Sequence, residues 1–65
     1  MKNLEALRIR ERMSREELAK KLDVSYMTIR NWERGNTEPG ASQLIRLAAI
    51  FAVSVDQLLG RESQK

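Results

Sequence analysis

The sequence predicts an all-α fold of five short helices in a single small domain. Three observations carry this. Apolar residues recur at helical spacing in most segments, and the alternation that marks strands is nearly absent. Serines stand where helices begin, twice followed three residues later by Glu or Gln. Glycines stand where helices should stop. The 65 residues suffice for one domain with one modest core.

Taken in order, residues 3–12, NLEALRIRER, set Leu4, Leu7 and Arg8 at i, i+3 and i+4, with Asn3 as the expected cap. Residues 14–22, SREELAKKL, open with Ser14 and Glu17 as an S-x-x-E capping box and carry Leu18, Ala19 and Leu22 as an apolar stripe. Asp23, a residue type that tolerates a left-handed turn, interrupts. Ser25 caps a third helix, residues 25–34, which Gly35 ends. GNTEPG, 35–40, reads as a loop. A fourth helix over 41–52 puts Leu44, Leu47, Ala48 and Phe51 on one stripe. Ser54 and Gln57 form a second capping box that starts a short helix through Leu59, closed by Gly60. Residues 1–60 are then the domain, and RESQK, 61–65, a polar tail. The expected core combines Leu4, Leu7, Met13, Leu18, Leu22, Val24, Ile29, Trp32, Leu44, Leu47, Phe51, Val53, Val55, Leu58 and Leu59.

Composition removes several function classes. The chain has neither Cys nor His. Disulfides, Cys/His zinc sites and Ser-His or Cys-His nucleophile pairs are therefore excluded. No Asp/Glu spacing suggests a magnesium or calcium site, and there is no glycine loop to cradle phosphate, so no metal, cofactor or enzyme activity is expected. The apolar runs are far too short for a membrane span, and MKNLEALRIR lacks the apolar stretch of a secretory signal, so a cytoplasmic protein is expected. Twelve Lys/Arg against nine Asp/Glu give +3, which permits an anionic partner without requiring one.

The second and third helices are joined by about three residues, which forces a steep crossing, the geometry of a helix-turn-helix. The wider pattern is more specific. EELA in the second helix, VS before the third, an Ile and WERG at its end, Pro39 four residues after Gly35, and VSVDQLL near the end of the chain fall in register. From about Leu4 to Gly60 the chain resembles the lambda-repressor-like, Cro-type (XRE) family of DNA-binding domains. That resemblance implies a compact five-helix lambda-repressor-like domain with the helix-turn-helix at helices two and three. It also implies double-stranded DNA as partner, with the third helix in the major groove.

Stepping round the third helix at 100° per residue puts Ser25, Ile29, Trp32 and Glu33 on the inner side. Met27, Arg30, Asn31 and Arg34 fall on the outer side, and Tyr26 on the flank near the tip. The family reads bases from positions that match Tyr26, Met27, Arg30 and Asn31. Asn31 suits adenine N6/N7, Arg30 guanine O6/N7 or a phosphate, and Met27 a thymine methyl. The alternative for Tyr26 and Met27 is packing against a neighbouring helix. By the same resemblance Ser14, Arg15, Thr28, Arg34, Asn36 and Thr37 are candidate phosphate contacts, at a helix N-terminus where free N–H groups and the macrodipole attract anions, or along the loop. Arg15 stands where the family commonly has Gln, and its alternative reading is an ordinary solvated arginine. Arg10 and Arg12 are further phosphate candidates, and Arg12 replaces the family's usual helix-ending Gly. The family also pairs the Glu matching Glu33 with an Arg matching Arg8, which implies an ion pair that orients the third helix.

A domain this small covers little DNA, so a homodimer on a pseudo-palindromic operator is expected, of repressor type. The last helix (Val55, Leu58, Leu59) and the tail are candidate dimer surfaces, with membership of the core as the alternative. The competing function is a protein-interaction module, an antitoxin or adaptor on the same fold, favoured by the apolar Tyr26–Met27 tip.

Overall fold

A computed structural model describes residues 1–60, with Lys2 described in its backbone only. The tail expected at 61–65 lies outside the described residues. Five helices follow one another: α1 (Lys2–Arg10), α2 (Arg15–Leu22), α3 (Tyr26–Arg34), α4 (Ala41–Phe51) and α5 (Val55–Leu59). No strand occurs among the described residues, and no described helix is long and apolar enough to cross a membrane.

The serines act as caps. Ser14 Oγ accepts from the Glu17 N–H at 3.0 Å while Glu17 Oε1 accepts from the Ser14 N–H at 2.7 Å. Ser54 and Gln57 repeat the reciprocal pair at 3.0 and 2.9 Å. Ser25 Oγ accepts from the Thr28 N–H at 3.1 Å. Each cap satisfies N–H groups that a helix start leaves without partners, typically worth about 1 kcal/mol.

Asn3 departs from expectation. It lies inside α1, which begins at Lys2 with Met1 in the cap position. Its Nδ2 instead donates to the Gln57 carbonyl at 2.8 Å, tying α1 to α5. The cap-type residue does not cap because the helix begins two residues nearer the N-terminus than the sequence pattern marks.

A left-handed residue follows each of the five described helices: Asp23, Gly35, Ala52 and Gly60 cap α2 to α5, and Arg12 comes one residue after Glu11, the cap of α1. The α1 terminus shows the bonding: the Met13 N–H donates to the Arg8 carbonyl at 3.0 Å and the Arg12 N–H to the Ile9 carbonyl at 2.9 Å. Only two of the five are glycine. Arg12, at φ 56°, carries a side chain in a region that costs an L-residue about 1–2 kcal/mol. The Arg12→Gly variant is therefore expected to be more stable by about 0.5–1 kcal/mol, the strain relieved less glycine's greater loss of chain entropy. Chemical denaturation checks this: the midpoint should rise with an unchanged slope.

The core lies where α1, α2, α3, α4 and α5 converge. Leu4, Leu18, Leu22, Ile29, Leu47, Phe51 and Leu58 are fully buried, and Trp32 nearly so. Leu7, Met13, Val24, Leu44, Val53 and Val55 pack half-buried around them, and Leu59 is half-buried. Ala19 in α2 and Ala48 in α4 are also buried, as is Pro39 in the loop before α4; the two alanines are small enough to sit at helix contacts, a role that hydrophobic spacing alone understates.

Candidate nucleic-acid interface

The helix-turn-helix is built from α2, the turn Asp23–Val24–Ser25, and α3. The turn reverses the chain because Asp23 is left-handed at φ 58° and Ser25 at once caps the next helix. The Val24 N–H donates to the Ala19 carbonyl at 3.0 Å, closing the end of α2.

The inner side of α3 is anchored. Ile29 is completely buried, and Trp32 and Glu33 are buried beside it. Ser25, placed inward by the helical wheel, is exposed, because as the cap it stands outside the helical backbone whose angles the wheel assumes. Trp32 is a core residue, as its wheel position implies.

Glu33 is the buried carboxylate of the domain, with its side chain 1 % exposed. Arg8 Nε donates to Glu33 Oε2 at 2.6 Å, and Arg8 Nη1 donates to the Met13 carbonyl at 2.9 Å. One guanidinium thus joins α1, the α1–α2 turn and α3. Arg15 takes the other carboxylate oxygen: its Nε donates to Glu33 Oε1 at 2.8 Å, with Nη2 at 4.0 Å from Glu5. Two guanidinium groups from two helices therefore compensate one buried carboxylate, which removes the penalty of an unpaired buried charge. The hydrogen bond to Glu33, and after it the Tyr26 hydroxyl, hold Arg15 protonated above its ordinary value, with burial opposing.

The second guanidinium on Glu33 is the feature that sequence reasoning missed. Arg15 was read as a phosphate contact or a solvated arginine; it is half-buried and its Nε is occupied. The available signal was the charge itself, an Arg where the family commonly has an uncharged Gln, beside a Glu expected inside. Arg10 is likewise engaged elsewhere, bonded to Glu11 at 3.1 Å and to the Phe51 carbonyl at 3.3 Å.

The outer side of α3 is open. Met27 is 50 % and Tyr26 38 % exposed, so neither is used as core. Arg30 and Asn31 are half-exposed and Arg34 exposed on the same helix. Asn36 Nδ2 sits 3.4 Å from Asn31 Oδ1, and the Asn36 N–H donates to the Asn31 carbonyl at 3.0 Å, so the loop after α3 folds back against the end of that helix. Thr37 is exposed in that loop. Ser14 stands exposed at the start of α2, and Thr28 shares a 3.0 Å hydroxyl contact with Ser25 at the start of α3. No His/Cys/Asp/Glu cluster of metal-binding kind occurs among the described residues.

A five-helix globule whose α2 and α3 cross over a three-residue turn, with α3 anchored on one side and open on the other, defines a helix-turn-helix protein. The chain belongs to the helix-turn-helix family, of XRE type, whose model matches residues 4–58. It is 36% identical over 59 residues to the HTH-type transcriptional activator BcrR of Enterococcus faecalis, covering 91% of this chain and 29% of that protein. It is 31% identical over 61 residues to the HTH-type transcriptional regulator ImmR of Bacillus subtilis (strain 168), covering 94% of this chain and 48% of that protein. The chain thus spans less than half the length of these curated relatives. A solved structure of a transcriptional regulator from Listeria innocua superposes with a TM-score of 0.87 at 32% identity, over 97% of this chain and 59% of that one.

Proposed function

We propose that this chain is a sequence-specific, double-stranded DNA-binding transcriptional regulator that works by occupancy and not by catalysis, in the cytoplasm. The observation that carries this is the two-sided character of α3: Ile29, Trp32 and Glu33 are buried while Tyr26, Met27, Arg30, Asn31 and Arg34 project from the opposite side. A helix held rigidly by its back can enter the major groove without rearranging, so little ordering entropy opposes binding.

In this reading Tyr26, Met27, Arg30 and Asn31 meet base edges. Ser14, Thr28, Arg34, Asn36 and Thr37 meet phosphates, and Arg15 adds its remaining N–H groups there while its Nε stays on Glu33. Two copies bind a pseudo-palindrome with half-sites one helical turn apart, and occupancy of an operator overlapping a promoter represses. The names of the curated relatives and of the structural neighbour support regulation of transcription. The exposed Tyr26–Met27 tip supports one competing reading, a protein-binding antitoxin or adaptor.

A salt titration on duplex DNA separates the two. Cationic phosphate contacts release counterions, so with Arg15 and Arg34 from each of two copies the affinity should fall by roughly two powers of ten between 50 and 200 mM salt. Binding that is absent, or flat with salt, would favour the protein-binding reading.

A further inference from the structure

We propose that Asn36 is a positioning residue that sets which atoms Asn31 offers to a base. The backbone brings the two side chains together. Gly35 ends α3 left-handed at φ 82°, and the Asn36 and Thr37 N–H groups both turn back onto the Asn31 carbonyl, at 3.0 and 3.5 Å. The Asn36 carboxamide then lies beside that of Asn31, with Asn36 Nδ2 facing Asn31 Oδ1 at 3.4 Å. The polarity of the pair suits its place. The last turn of α3 is the negative end of the helix dipole, with carbonyl oxygens at its surface, so the NH2 edge of Asn36 is the edge that turns toward it.

A side-chain amide carries one acceptor oxygen and an NH2 with two donors. With Oδ1 engaged by Asn36, Asn31 is left to offer its NH2. Pairing with adenine N6/N7, the partner expected from the residue type, needs oxygen and nitrogen together. A donor-only amide fits guanine instead, whose N7 and O6 both accept. This selectivity rests on base reading by the open side of α3 and narrows it: Asn31 selects guanine over adenine while Asn36 is in place. Asn36 is exposed, so its second Nδ2 hydrogen stays available for a phosphate. Asn36 is also not left-handed, so replacing it should leave the fold and the melting temperature unchanged.

One arm of the test needs no DNA. In nuclear magnetic resonance of the free 65-residue chain, the Asn36 Nδ2 protons should exchange with water more slowly than those of Asn31. Asn36→Ala should also move the side-chain carbonyl-carbon resonance of Asn31. Slower exchange at Asn31 Nδ2 instead, or an Asn31 resonance indifferent to Asn36→Ala, would overturn the proposal.

The other arm uses duplexes varied one base pair at a time. Wild type should prefer guanine at the base pair whose preference Asn31→Ala flattens. Asn36→Ala should shift that preference toward adenine by about tenfold, the scale of one bidentate contact. Asn36→Asp sets an acceptor beside Asn31 and should turn its amide over, so that Oδ1 faces outward and the preference moves to a donor, adenine N6 or cytosine N4. Loss of a phosphate contact alone would lower affinity for every duplex alike and leave this preference in place. That result in both variants would overturn the proposal. A chain that binds no duplex defeats the DNA reading, and the resonance measurement still decides how Asn36 orients Asn31.

Discussion

Arg8→Ala is expected to lower the unfolding free energy by about 3–5 kcal/mol, the range for removing one partner from a buried ion pair. Both groups are largely withdrawn from water, with side chains 11 % and 1 % exposed, so no solvent takes the place of the lost guanidinium. The substitution also leaves the Met13 carbonyl without its 2.9 Å donor. In a domain of this size such a loss should drop the thermal midpoint by more than about 10 °C. Arg15→Ala should cost far less, about 1 kcal/mol or below, because Arg15 is 30 % exposed and Arg8 remains on Glu33. The comparison of the two melting curves tests which guanidinium carries the anchor. Equal losses, or an unchanged midpoint in Arg8→Ala, would show that Glu33 is held in another way. Replacing both members, Arg8→Met with Glu33→Leu, should recover most of the stability, since no buried charge is then left alone.

The second large effect is expected in binding. Arg30→Ala should weaken binding to the preferred duplex by about 1–3 kcal/mol, the worth of a bidentate arginine–guanine contact, and relax preference at one base pair. Arg30 is half-exposed on the open side of α3 and has no ion-pair partner among the described residues, so the fold should tolerate the change. Arg34→Ala offers the contrast. As a phosphate contact made once by each of two copies it should weaken all duplexes alike and reduce the slope of log affinity against log salt by about 1.8. If Arg30→Ala behaves like Arg34→Ala, Arg30 serves a phosphate and not a base.

Much of the fold is legible in the sequence because its signals are local. Ser14, Ser25 and Ser54 begin helices through bonds to residues three positions on, and Gly35 and Gly60 end them through a backbone state that glycine adopts freely. Periodicity places Ile29, Trp32 and Leu47 inside because burial follows helical phase. The features that escape are those set by contacts distant in sequence. Asn3 looks like a cap but bonds Gln57, 54 positions away. Arg15 looks like a first-turn cation facing solvent but reaches Glu33, 18 positions away. Ala52 ends α4 in a left-handed conformation with no glycine to announce it, because the Val53 N–H finds the Ala48 carbonyl at 3.0 Å and Val53 packs against the core. The open side of α3 is separable from the anchored side in the sequence because Met27, Arg30, Asn31 and Arg34 share a helical phase opposite Ile29, Trp32 and Glu33.

Base reading by the outer side of α3 is tested most directly by selecting bound duplexes from a random pool with wild type and with Met27→Gln in parallel. The wild-type chain should enrich a pseudo-palindrome whose half-sites lie one helical turn apart, about 34–36 Å centre to centre. Met27→Gln should change the preferred base at one symmetric pair of positions and leave the spacing and the melting temperature where they were, since Met27 is half exposed and outside the core. A pool that shows no enrichment, or an enriched motif that Met27→Gln leaves unaltered while stability falls, would contradict the account.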